Sequence, residues 1–336
     1  MLAILACNGC LNNQKVTWIS TTEKEPWIEQ AVEPAVNIES PDIEILLNHQ
    51  QQTIEGFGTC FNELGWTSLS LLSNDDRESI MRELFEPGFG ASFNICRMPV
   101  GANDFARNWY SYDETDEDFE MKNFSIANDE ETLIPFIKNA LKYNPSLKIW
   151  ASPWSPPSWM KYNHHYACRS VLGINNGLQP ELECKEGTDM FIQDEKYFKA
   201  YALYFSKFIQ AYREQGIKIS MVMPQNEPNS VQVFPSCTWT SKGLAKFITH
   251  LGPEMEALGV DVFFGTMERE DVRLVDTILT DPQSGKYIKG VGFQWAGKGA
   301  IKAVHQKHPE LILYQSEQEC GNGKNDWQYC VYVWSR

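Results

Sequence analysis

Nowhere in its 336 residues does the chain hold a run of about 18 apolar residues, so no helix read from the sequence spans a membrane. Basic side chains are scarce: 29 Lys and Arg stand against 44 Asp and Glu, a net charge of −15. They form no cluster, which argues against nucleic-acid binding through phosphate contacts. Zinc-type spacing is missing too. The nine cysteines, at 7, 10, 60, 96, 168, 184, 237, 320 and 330, include no CxxC pair matched by a second pair or by spaced His. His164 and His165 with Cys168 lack a fourth ligand and read as ordinary loop residues, so no metal is expected. Internal repeats and low-complexity tracts are also absent.

What is there describes a protein with a full core: 43% hydrophobic and 22% charged residues, with Gly and Pro at ordinary levels. Eleven Trp and thirteen Tyr supply flat apolar rings on which the C–H face of a sugar can stack. The acidic run Asp113, Glu114, Asp116, Glu117, Asp118 and Glu120 reads as a solvated loop. Cys168 and Cys184 flank a loop-like insertion and could bridge in an oxidising compartment, whereas Cys60, Cys96 and Cys320 read as buried thiols. At the start, Met1–Ala6 (MLAILA) followed by Cys7 resembles the tail of a bacterial lipoprotein signal whose basic and apolar leader is mostly missing. Residues 1–14 are therefore expected to be a signal remnant on a secreted, periplasmic or outer-surface protein.

Beyond that remnant, short β-branched or aromatic runs alternate with amphipathic stretches, the signature of βα units around a parallel sheet or barrel. The strand candidates are Thr53–Gly58, Ser92–Met98, Leu147–Ser152, Lys218–Pro224, Val260–Gly265, Ile288–Trp295 and Leu311–Gln315. Helices are expected around Ser68–Phe85, Glu131–Tyr143 and Glu195–Glu214, with another beginning at Asp326–Trp334. The fold class is α/β, a (β/α)₈ barrel over residues 51–336 whose eighth strand is not found. The alternating patches VTWIS and IEILL place strands of an accessory β-sandwich in residues 15–50.

In such a barrel, reactive side chains project from the C-terminal ends of strands. Read in turn, those ends present Arg97, Trp154, Asn226-Glu227, Gln294-Trp295 and Glu317. Glu227 sits in Met-Pro-Gln-Asn-Glu-Pro, where Pro228 stops strand or helix and restricts the backbone. Glu317 follows Ile312–Ser316, with Glu319 a rival two residues on. Two carboxyls facing each other across a barrel mouth suit glycoside hydrolysis with retention, which needs them about 5–5.5 Å apart. Arg97 can hydrogen-bond a carboxylate, Asp104 can accept sugar hydroxyls, and Asn226 can hold a 2-hydroxyl beside the acid. Trp154, in the Pro-stiffened Ser152–Trp159 loop, suits a sugar platform; Trp159, Trp109 and Trp239 are weaker candidates for outer subsites.

The segments GFGTCFNE, FNICRMPVGANDF, ASPWSPPSWMK, MPQNEP, GFQWAGKGAI and YQSEQECG resemble glycoside hydrolase family 30, from about Gln52 onward. The resemblance implies a (β/α)₈ barrel with an attached β-sandwich, retaining chemistry and no cofactor. It places the acid/base on Glu227 and the nucleophile on Glu317, with Arg97, Asp104, Trp154, Asn226 and Trp295 around the substrate. Where glucosylceramidases carry His-Trp-Tyr, this chain has Gln294-Trp295-Ala296, a form more like the bacterial branch that acts on β-1,6-glucan or related β-glucosides. It also implies that the chain stops before the eighth strand and the rest of the sandwich. An oligosaccharide or β-glucoside is thus the expected partner, and oligomeric state is left open. Two alternatives stand beside the enzyme: a surface glycan-binding protein without turnover on the same fold, and a cellulase-like barrel hydrolase sharing Asn-Glu-Pro.

Overall fold

A computed structural model describes residues 16–33, 40, 42–318 and 327. Two compact units divide the chain, one of them running from Gly56 to Gln318. The other contains β1 (Trp18–Ser20) and β2 (Ile28–Gln30), paired antiparallel with Trp18 opposite Gln30. VTWIS thus supplies a strand, but IEILL does not: residues 43–47 lie outside any strand and their side chains are exposed.

In the larger unit, six parallel strands form one curled sheet in sequence order. They are β3 (Ile95–Pro99), β4 (Lys148–Ser152), β5 (Ile219–Val222), β6 (Asp261–Met267), β7 (Ile288–Gln294) and β8 (Ile312–Glu317). Parallel neighbours need a crossover, and helices supply it. Preceding β3 come α1 (Glu63–Ser70) and α2 (Asn74–Phe85); α3 (Ala127–Glu131) and α4 (Leu133–Tyr143) link β3 to β4. Then α5 (Glu195–Glu214), α6 (Ser241–Leu258), α7 (Val272–Leu279) and α8 (Ile301–Lys307) join each later pair. This is the sheet of an α/β barrel.

Strand parity sorts the side chains. Cys96, Met98, Ile149, Ala151, Val222, Val262, Phe264, Val291 and Phe293 pack outward against the helices in the main core. Trp150, Met221, Met223 and Phe263 form a second, inner cluster with Ile95 and Tyr314. On the inner side β7 carries Gly290 and Gly292, because the Phe263 ring and the Met223 thioether stand within 2.4–2.6 Å of where a Cβ would be. The inner cluster is the floor on which the site rests.

Two expected elements differ. Thr53–Gly58 is not a strand. Hydrogen bonds to β3 are made by residues 57–61 instead, with Asn94 N–H donating to Phe57 O (3.0 Å), Arg97 N–H to Thr59 O (2.9 Å) and Phe61 N–H to Arg97 O (2.8 Å). Glycines at 56 and 58 leave the earlier segment few side chains to pack. The helix expected over Ser68–Phe85 is the end of α1, which Asn62 caps through Gly65 N–H (2.7 Å), and the whole of α2, because Ser73 Oγ accepts from Asp76 N–H (3.1 Å) and starts a new helix. By contrast α5 spans the expected Glu195–Glu214. The helix expected at Asp326–Trp334 and the thiol of Cys320 lie outside the described residues, Trp327 excepted.

The acidic run is not wholly solvated. Asp113 is buried, and that burial raises its carboxyl, while Glu114 accepts from Ser158 Oγ (2.5 Å) and Tyr166 Oη (2.5 Å). Cys168 and Cys184 are joined by a disulfide.

Candidate active site

The C-terminal ends of the strands and the residues just after them meet at one rim. From β3, Arg97 is 3% exposed and acts as a hub. Its Nη1 donates to Glu317 Oε2 (2.6 Å), and Nη2 donates to Asn226 Oδ1 (2.7 Å) and Ser152 Oγ (2.8 Å). The guanidinium lies 4.1 Å from the Trp154 ring centroid and 4.9 Å from that of Trp150. Such a cation held over aromatic faces and bound by three acceptors is locked in place.

Glu317 reaches the site through an irregularity. Phe293 pairs with Gln315 and Gln294 with Glu317, so β8 carries one extra residue, Ser316, against β7. Strict alternation from Tyr314, which faces inward, would turn Glu317 away; the bulge re-aims it. Its second oxygen, Oε1, accepts from Trp295 Nε1 (3.2 Å). Both oxygens therefore face donors, one of them a fixed positive charge.

Glu227 follows β5 and Pro228 ends the run. Its backbone is left-handed, φ +44°, as is that of Trp295 at φ +48°, conformations non-glycine residues keep only when their surroundings hold them. Here Glu227 N–H donates to Thr266 Oγ1 (3.1 Å) and Ser230 N–H to Glu227 O (3.1 Å). The carboxyl accepts from Gln294 Nε2 at Oε1 (3.1 Å) and from Gln232 Nε2 at Oε2 (3.3 Å). Burial raises its pKa, the Gln294 and Gln232 amides oppose that rise, and the nearby charge of Glu317 adds to it. Asn226 Oδ1 accepts from Arg97, from Thr266 Oγ1 (2.9 Å) and from Gln294 Nε2 (3.3 Å). With the oxygen so occupied, the Asn226 amide has only N–H left to offer a ligand.

A cavity of about 280 Å³ opens over these groups, lined by Asp104, Trp154, Asn226, Glu227, Gln232, Phe234, Trp295 and Glu317. Asp104 is exposed to solvent on its rim yet hemmed by protein, and desolvation together with the Glu317 charge pushes its carboxyl up to about 6. The seven residues that the resemblance assigns to the site all meet here, Arg97 beneath the cavity and six in its wall. Trp159 and Trp239 are instead buried in the core, and Trp109 packs edge-on to His165 and Tyr166. Glu319 lies outside the described residues.

Sequence reasoning missed Ser152, Gln232, Phe234 and Thr266, and named Gln294 without a role for it. Gln294 closes β7 at the site's base, fully buried, and strand parity marks it as inward. Glu268 was missed as well: buried after β6, it accepts from Asn229 N–H (3.0 Å), and desolvation pushes its carboxyl up to about 7. Among the described residues no group of three His, Cys, Asp or Glu is placed to hold a metal ion, and Cys168 is committed to its disulfide.

A curled parallel sheet whose C-terminal ends bring two carboxylates into the wall of one cavity defines an α/β-barrel domain with its site on that face. The chain belongs to glycosyl hydrolase family 30, whose TIM-barrel domain matches residues 54–336. It is 31% identical over 303 residues to putative glucosylceramidase 1 of Caenorhabditis elegans, covering 85% of this chain and 54% of that protein. Lysosomal acid glucosylceramidase of Mus musculus is 28% identical over 303 residues, 85% of this chain and 55% of its own length. The solved endo-β-1,6-glucanase BT3312 superposes with a TM-score of 0.72 at 26% identity, over 88% of this chain and 64% of that one. The chain thus spans about half the length of the curated relatives it matches.

Proposed function

We propose that this barrel hydrolyses β-glucosidic bonds with retention of configuration, Glu227 serving as acid/base and Glu317 as nucleophile. One observation carries the reading: two carboxyls from different strands wall one cavity in unlike environments. Glu227 is buried and raised, the state of a proton donor, whereas Glu317 accepts from Arg97 and Trp295. Glu227 protonates the leaving oxygen as Glu317 attacks the anomeric carbon; water then releases the glycosyl-enzyme with Glu227 as base. Asn226 Nδ2 donates to the 2-hydroxyl, and Trp154 and Asp104 hold the glycone.

β-1,6-Glucan and glucosylceramide-like glucosides are the substrates to try first, as the names of the relatives suggest. Gln294-Trp295-Ala296 tilts the choice toward the glucan. We also place the protein outside the cytoplasm, a compartment supported by the Cys168–Cys184 disulfide; cell fractionation that finds it only in the cytosol would overturn this.

Hydrolysis of 4-nitrophenyl β-glucoside and β-1,6-glucan tests the activity. Glu317→Gln should abolish turnover, and azide should restore it to Glu227→Ala on the nitrophenyl substrate, giving a β-glucosyl azide. If neither variant behaves so while glycans still bind, the protein is a glycan-binding barrel and the proposal fails.

A further inference from the structure

The segment Gln232–Ser236 supplies two cavity-lining side chains, Gln232 and Phe234, yet has no helix or ladder of its own. Its backbone is satisfied from elsewhere. Cys168 N–H (3.0 Å) and Arg169 N–H (2.9 Å) both donate to Gln232 O, and Ser236 N–H donates to Tyr166 O (3.0 Å). Ala167 bridges Pro235 antiparallel, and Asn176 Nδ2 donates to Val233 O (2.8 Å). Beneath them the fully buried Lys161 ammonium clamps Tyr166 O (2.8 Å) and Ser236 O (2.7 Å). All of these partners come from residues 161–176, and the loop is closed by the Cys168–Cys184 disulfide and by Cys184 N–H to Cys168 O (2.9 Å).

What stands beyond the proton donor meets the departing group. Gln232 Nε2 is 3.3 Å from Glu227 Oε2 and 2.6 Å from Ser230 Oγ, so it marks the acid/base side of the cavity, and Phe234 follows two residues on. Arg97 instead joins Glu317 (2.6 Å) to the Trp154 ring (4.1 Å from its centroid).

We propose that the disulfide-closed loop builds a leaving-group subsite, holding Gln232 beside Glu227 and presenting the Phe234 ring to a leaving group with an apolar face. That face is either the C–H side of a second pyranose or a hydrocarbon chain. The inference rests on the glycosidase reading and extends it. An aromatic ring in a subsite binds such a face without regard to hydroxyl pattern, so the loop recognises the leaving group and leaves recognition of the glycone to the strand ends.

Calorimetry on the chain and on Phe234→Ala tests this with three ligands that are not turned over. They are 1-deoxynojirimycin, which has only the glycone part, a β-1,6-thio-linked glucose disaccharide, and octyl β-thioglucoside. Phe234→Ala should weaken one or both thio-ligands about tenfold and leave the iminosugar within about twofold; which thio-ligand responds tells pyranose from hydrocarbon. Cys168→Ser/Cys184→Ser should show the same selectivity. Equal weakening of all three ligands, or of none, overturns the subsite. A chain that binds none of the three ligands would sink the glycosidase reading and the subsite together, whereas an iminosugar that binds while both thio-ligands do not would sink the subsite alone.

Discussion

Replacing Arg97 by Lys keeps the positive charge and removes the geometry. The guanidinium satisfies Glu317, Asn226 and Ser152 at once, at 2.6, 2.7 and 2.8 Å. An ammonium on a shorter planar-less stem reaches one of these, or two at poorer angles. Each hydrogen bond to a charged group contributes about 1.5–3 kcal/mol, so two lost bonds amount to roughly 3–6 kcal/mol before relaxation. Glu317 is about a third exposed, and water can reach it, so about 2–3 kcal/mol of net destabilisation is expected, less than for a fully buried pair. Loss of the fork also leaves the Glu317 carboxylate held by Trp295 alone, free to turn. Misplacement by about 1 Å costs on the order of 100-fold in rate. Arg97→Lys should therefore lower kcat on 4-nitrophenyl β-glucoside about 100-fold and lower the urea midpoint, with the loss in kcat exceeding any rise in KM. Wild-type kcat in a variant with a wild-type midpoint would refute the view of Arg97 as the clamp of this site.

Gln294→Leu removes an amide that stabilises the Glu227 carboxylate, so the acid's pKa should rise and the basic limb of the kcat/KM profile should move to higher pH; a limb that moves down contradicts the assignment. Trp295→Phe takes one donor from Glu317 at an exposed position, and should reduce kcat by roughly tenfold without changing the melting temperature. Stability should fall as pH rises from about 4 to about 7. Burial pushes Asp129 up to about 6, despite hydrogen bonds from Tyr110, Tyr112 and Tyr212, and burial pushes Glu268 up to about 7. The native state then binds more protons than the unfolded chain across that window, where the unfolded carboxyls sit near 4. Glu78, held down at about 2 first by its hydrogen bond from Lys142, works oppositely and loses its contribution only below about 4.5. A urea midpoint higher at pH 7.5 than at pH 5 would contradict the account.

Six of the seven strand segments read from the sequence coincide with β3–β8, because each is a short, largely apolar run bounded by turn residues. The rim was legible for the same reason: in a parallel barrel, the residue after each apolar run lands on the C-terminal face. Local chemistry hid the rest. The extra residue in β8 that turns Glu317 inward depends on its pairing with β7, which periodicity along one strand does not carry. The break between α1 and α2 comes from capping by Ser73 inside one continuous helical pattern. Gln232 and Phe234 stand in an irregular segment whose partners lie about 60 residues earlier in a disulfide-closed insertion, so nothing in their neighbours marks them. Asp113 looked like part of a solvated acidic run and is instead buried beside the Ser158–Tyr166 loop, because Glu114 ties that run to the body of the protein.

The central claim is a covalent intermediate on Glu317. Incubation with 2,4-dinitrophenyl 2-deoxy-2-fluoro-β-glucoside, followed by proteolysis and mass spectrometry, tests it directly. Glu317 should carry the fluoroglucosyl group, with activity lost in step with labelling. Label on Glu227 instead, or product released with inverted configuration and no label, would contradict the account.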